Sequence, residues 1–195
     1  MATINDYFKD NVANLENAEV PIENNLIKWK CPMSPYVKIN FDGSVSNSLA
    51  AGGFVIKNRN SKPILICAMN LGSSTINVAK ALALREAPIW ARRRSLTHVL
   101  VKSDSKIIID PVCGVYEVSW NLRSIIEDIR WCASSFQDIK WGHVFKEANF
   151  VANAMAYVGL KIVNLCIWDA CLPVEANLAL LVDCNGSSYV KGFSL

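Results

Sequence analysis

At 195 residues and 21.6 kDa the chain has room for one domain of ordinary size with short appendages, and two full domains would be cramped. With 52% hydrophobic and 19% charged residues its composition is globular, which excludes a disordered or fibrous chain. A net charge of +3 is too small to indicate nucleic-acid binding by itself, so any such claim must rest on local patches.

Residues 1–35 mix Asn, Glu and Lys with isolated apolar residues and end in Trp29-Lys30-Cys31-Pro32-Met33-Ser34-Pro35, the pattern of a loosely packed arm and a Pro-bounded linker. The alternation in Val37-Lys38-Ile39-Asn40-Phe41-Asp42 predicts a strand with Asp42 at its end, stopped by Gly43-Ser44. Gly52–Ile56 and Pro63–Met69 follow as an antiparallel hairpin about the polar turn at 58–61.

From Ser74 to about Arg94 the spacing of Val78, Ala79, Leu82, Ala83, Ile89 and Trp90 predicts an amphipathic helix, which Pro88 should kink or split. Thr97–Lys102 reads as a fourth strand with Asp104 just beyond it, and a short helix from Ser105 stops near Pro111. A longer helix covers Asn121 to Ser134, a fifth strand Ile139 to Val144, and a last helix Asn149 to Val158, with Asn149 as its cap. Beyond Lys161 a trailer holds one further apolar stretch, Asn177 to Val182, expected to pack on or beside the domain. Three strands, a helix, a strand, two helices, a strand and a helix make an α/β fold, a five-stranded mixed sheet flanked by helices.

No apolar run approaches the roughly twenty residues of a membrane span, and the start lacks a signal peptide's order. Seven cysteines without a Cys-x-x-Cys pair fit buried thiols, and two histidines exclude a multi-histidine metal centre. The expectation is a protein of the nucleus or cytoplasm, not secreted, with no membrane partner.

The motifs Asn40-Phe41-Asp42-Gly43-Ser44, Ala50 to Ile56, Ala79-Lys80-Ala81-Leu82-Ala83-Leu84-Arg85-Glu86-Ala87, Ser103-Asp104-Ser105 and His143 to Asn153 occur in one order. Together they closely resemble the ribonuclease H type 1 domain of plant proteins and of the C-terminal part of non-LTR retrotransposon polyproteins. The resemblance covers about residues 36–160, and the linker and the 161–195 trailer (Trp168, Pro173, Leu180-Leu181, Asp183, Gly186) are similar to that family's own.

The resemblance implies a ribonuclease H-like fold and an endonuclease that cuts the RNA strand of an RNA–DNA hybrid. Four carboxylates would hold two Mg²⁺ or Mn²⁺ ions about 3.5–4 Å apart over the scissile phosphate. Asp42 and Asp104 match the first and third. Lys80 stands where the second acid belongs and Asn153 where the fourth does, so half the ligand set is missing.

Asn153 keeps a neutral oxygen that can serve as a weak ligand. Lys80 reverses the charge, and a unit charge about 4 Å from another is worth roughly 4 kcal/mol at an effective dielectric of 20. Glu86 lies six residues further on, roughly 9 Å along the helix, too far to stand in.

The expectation is therefore a nucleic-acid-binding domain, partnered by an RNA–DNA hybrid or double-stranded RNA, with hydrolysis weak or lost. Whether it remains an enzyme at all is open. The alternative is a decayed retrotransposon-derived protein with a scaffold role or no activity. Arg92-Arg93-Arg94, with Lys57, Arg59 and Lys62 of the hairpin and Lys80, are candidate phosphate contacts, although three arginines at a helix end also complement its dipole. His143 is a possible auxiliary residue, or a structural one bonded to the turn that follows it.

Overall fold

The computed structural model describes residues 26–184 and 189–192; the arm before residue 26 and Gly186 of the trailer lie outside them. The chain forms β1 (Leu26–Ile27), β2 (Val37–Ser46), β3 (Leu49–Lys57), β4 (Pro63–Asn70), α1 (Ile76–Arg93), β5 (His98–Ser103), α2 (Lys106–Val112) and α3 (Arg123–Ala133). It continues through β6 (Asp138–His143), a 3₁₀ turn (Lys146–Ala148), α4 (Phe150–Gly159), β7 (Leu165–Asp169), α5 (Val174–Cys184) and β8 (Tyr189–Val190).

The main sheet has six strands in the order β6-β5-β2-β3-β4-β7, one more than the sequence pattern predicts. The pairs β2–β5 and β5–β6 are parallel; β2–β3, β3–β4 and β4–β7 are antiparallel. The extra strand, β7, comes from the trailer and pairs Cys67 with Ile167. Half-buried and five residues long, it carries too short a pattern to stand out in the sequence.

Alternation along β2 sends Val37, Ile39 and Phe41 into one core with Phe54, Ile56, Leu84, Ile126 and Ile129, beneath α1, α2 and α3. On the opposite face Val55, Ile66, Met155 and Val158 form a second core beneath α4 and α5. This face needs glycine where α4 approaches β3. A Cβ at Gly53 would lie 2.5 Å from the Met155 carbonyl carbon and 2.7 Å from its Cβ. Gly53→Ala is therefore expected to lower stability by about 3 kcal/mol, read as a fall in the urea midpoint, because helix backbone cannot move aside as a flexible side chain does.

Two local expectations fail. Pro88 neither splits nor ends α1, which runs unbroken for 18 residues; Pro88 is buried with Ala87 and Ala91, and packing along that face offsets the lost N–H. The stretch from residue 26 is not a loose arm either. Trp29 is 5% exposed, its indole N–H donates to Asn40 Oδ1 at 3.0 Å, and β1 pairs antiparallel with β8.

Candidate functional site

The parallel pairing of β2 with β5 ends at Asn40 opposite Lys102, so β2 runs on beyond it without a neighbour on that side. Asp42 lies on this free stretch, and Asp104 follows the end of β5. Such a gap beyond the carboxyl ends of parallel strands is where open α/β sheets place their sites. The first turns of α1 close the gap from above. Thr75 caps the helix, its hydroxyl accepting from the Val78 N–H, and Lys80 sits on the second turn beside Gly43.

Lys80 Nζ lies 2.8 Å from Asp42 Oδ1 and 2.9 Å from Asp104 Oδ1, so one ammonium bridges both aspartates. Asp42 Oδ1 also accepts the Gly43 N–H at 2.8 Å. Burial pushes the Asp42 carboxyl above its usual range, the ammonium pulls it back, and the nearby Asp104 charge adds to the rise. Burial alone would lower the pKa of Lys80, but the two carboxylates more than offset it and hold the amine charged beyond the ordinary lysine range. Among the described residues no group of three or more His, Cys, Asp or Glu side chains comes together. A basic nitrogen at hydrogen-bond distance from both acids occupies the place and supplies the charge of a cation, and this donor set does not fit a pair of divalent ions.

The other expected residues are distributed as follows. His143 Nε2 donates to the Asp104 carbonyl oxygen at 3.2 Å, tying the end of β6 to the site. Asn153 is half-buried on α4 and lines a groove with Ser44, Lys146, Tyr157 and Glu175; it is not among the groups that Lys80 joins. Arg92 and Arg93 are exposed and line a cleft of about 690 Å³ with Arg85, Glu86, Asp128 and Trp131. Arg93 also covers the Trp90 ring at 4.5 Å, and Arg94 pairs with Asp169. Glu86 pairs with Arg85 at 3.3 Å.

Lys57 requires a correction, because it is fully buried, ion-paired with Asp183 and stacked on Trp29 at 4.2 Å, and so leaves the set of surface cations. Asn149 departs from its local reading too. Its side chain does not cap α4 but accepts from Asn40 Nδ2 at 3.0 Å and donates to the Phe41 carbonyl at 3.1 Å.

One cluster escapes the sequence reading. Lys28, Lys30, Lys38 and Lys102 gather in a cleft beside His143. Alternation places Lys38 and Lys102 on the same sheet face once β2 is known to pair with β5, and that register is the signal that could have found them.

Among curated proteins no sequence matches. The model of the reverse transcriptase-like family matches residues 40–158. The fold is similar to the N-terminal RNase H domain of a Mycobacterium tuberculosis protein at 24% identity and a TM-score of 0.62, over 65% of this chain and 94% of that one. RNase H1 of the halophilic archaeon Halobacterium salinarum gives 24% and 0.62, over 65% and 98%. LC11-RNase H1, isolated from compost and solved in complex with an RNA/DNA hybrid, gives 21% and 0.57, over 64% and 96%. Topology and family match agree: the chain belongs to the reverse transcriptase-like family and has a ribonuclease H-like fold.

Proposed function

We propose that the protein binds nucleic-acid duplexes, an RNA–DNA hybrid or double-stranded RNA, without cutting them. The single observation that carries this reading is the Lys80 ammonium held between Asp42 and Asp104. Hydrolysis by this architecture needs an activated water and a stabilised leaving oxygen, tasks that Mg²⁺ or Mn²⁺ performs in enzymes of the family. Lys80 is protonated and tied to both acids. It cannot take a proton from water, and one oxygen of each aspartate is committed to it.

Binding is another matter. Two uncompensated carboxylates would repel a phosphate, and the ammonium cancels one of the two charges. One of its three N–H donors remains beyond the two used on the aspartates. Exposed Arg92 and Arg93, beside Trp131, offer phosphate contacts in the cleft between the far end of α1 and α3. The RNA/DNA hybrid held by LC11-RNase H1 supports the choice of partner. Such a partner belongs to the nucleus or cytoplasm, and Cys31, Cys67, Cys113, Cys132, Cys166 and Cys171 are all free thiols, in keeping with that setting.

The full chain incubated with a labelled hybrid and Mg²⁺ or Mn²⁺ is expected to bind it and leave it intact. The binding constant should fall with salt, and an Arg92→Ala/Arg93→Ala variant should show a slope shallower by about 2 on a log–log plot. Robust cleavage that Asp42→Asn abolishes would overturn the reading. Absence of salt-dependent binding would favour the alternative of a decayed retrotransposon-derived copy.

A further inference from the structure

Over β3 and β4 the second face of the sheet is covered by α4 and α5. Over β2 and β5 its cover is the extended segment 27–31, and between that strap and the loop after β6 lies a cleft of about 460 Å³. Lys28, Lys30, Lys38 and Lys102 line it together with His143 and Phe145, and no carboxylate of the described residues shares the lining. Lys191 adds a fifth ammonium over the Phe145 ring at 5.4 Å.

Gathering these cations costs the fold free energy. Lys38 is 3% exposed, with its ammonium 2.9 Å from the Lys30 carbonyl and 4.5 Å from the Trp29 ring. Asp183, the neighbouring carboxylate, is ion-paired with Lys57. Burial, then Lys57 of β3 and Lys102 of β5, bring the pKa of Lys38 down to about 8, against a partial rise from Asp183 of α5 and Cys31 of the strap. An anion in the hollow would relieve this repulsion.

Two features select the kind of anion. Phe145 is 46% exposed at the rim, a ring on which a base can stack, whereas a simple phosphate or a lipid headgroup would have no use for it. The hollow is a cleft between one extended strap and one loop, suited to a single strand. It is also joined to the duplex site, because His143 lines it while donating to the Asp104 carbonyl. A strand leaving the Asp42–Lys80–Asp104 centre past His143 would enter it.

We propose that this lysine-lined cleft holds the single-stranded extension of a nucleic acid whose duplex part lies at the Asp42–Lys80–Asp104 centre, a proposal that rests on the duplex-binding reading above. The test is fluorescence anisotropy of the full chain with a labelled RNA–DNA hybrid, blunt or carrying an oligothymidine extension on either end. The extension is expected to tighten binding roughly tenfold, the effect of one well-stacked base. Lys28→Glu/Lys30→Glu should abolish that gain and leave the blunt hybrid within about twofold, and Phe145→Ala should reduce it; both lysines lie on the exposed strap, outside the cores.

If the blunt hybrid binds and an extension adds nothing, the proposal falls and the duplex reading stands. If the hybrid fails but free oligothymidine binds in a manner lost in Lys28→Glu/Lys30→Glu, the duplex reading falls and the cleft is a single-strand site in its own right. If inorganic polyphosphate competes fully and Phe145→Ala has no effect, the cleft takes any polyanion and the assignment to nucleic acid is overturned. Binding of neither probe overturns both.

Discussion

On the non-cleaving reading proposed above, Lys80→Glu combined with Asn153→Asp is expected to confer divalent-ion binding and hybrid cleavage on the protein. The first substitution removes the ammonium between Asp42 and Asp104 and puts a carboxylate in its place, a swing of two unit charges. Each unit charge about 4 Å from another is worth roughly 4 kcal/mol at an effective dielectric of 20, and counts double against a divalent ion. Even a modest part of that exceeds the roughly 4 kcal/mol that corresponds to a thousandfold change in affinity. The second substitution returns the acid on α4.

The signature is thermal as well as catalytic. Without metal the variant gathers acids near one buried aspartate and should melt below the parent, and Mn²⁺ should raise its melting temperature while leaving the parent's unchanged. Cleavage that requires Asp42 would identify the two substituted positions, Lys80 and Asn153, as the block. A variant that binds Mn²⁺ tightly yet leaves the hybrid uncut would move the block to the placement of the substrate.

The second large effect concerns where the folding unit begins and ends. A fragment of residues 36–160, the span of the family's motifs, is expected to lose cooperative unfolding and to aggregate, whereas 26–192 should unfold in one transition. Cutting there removes Trp29, β7 and α5 and uncovers Ile66, Met155 and Val158 of the second core. Uncovering a large apolar side chain costs about 1.5–3 kcal/mol, and several such losses match the roughly 5–15 kcal/mol by which domains are stable. The cut also leaves β4, Pro-Ile-Leu-Ile-Cys-Ala-Met-Asn, as an open edge, an apolar strand ready to pair with another copy. Circular dichroism melts of the two lengths, with light scattering recorded alongside, would decide the matter; a reversible transition in the short fragment near that of the long one would refute the expectation.

How much the sequence discloses follows from the range of each interaction. The alternation of β2 and the three-and-four spacing of α1 are local signals, and both elements appear within a few residues of their expected bounds. Asp42, Lys80 and Asp104 are legible as motif positions, but that one amine reaches both acids depends on β5 ending where β2 continues, which no window of sequence contains. Lys57 fails as a surface cation because its partner Asp183 is 126 residues away. Asn149 reads as a cap on local preference alone, and Asn40 and Phe41, more than a hundred residues earlier, claim its side chain instead. Long-range partners override local preference wherever a polar group is buried, since burial makes its hydrogen bond obligatory.

The short ribbon in which Leu26 lies opposite Val190 and Ile27 opposite Tyr189 has a further consequence. Entrance and exit of the described chain stand side by side, as in a module that can be hosted by a larger polypeptide without its neighbours being pulled across it. Lys28 follows Ile27 directly, so the ribbon pins the start of the strap, and opening that pairing would loosen the grip on whatever the lysines hold.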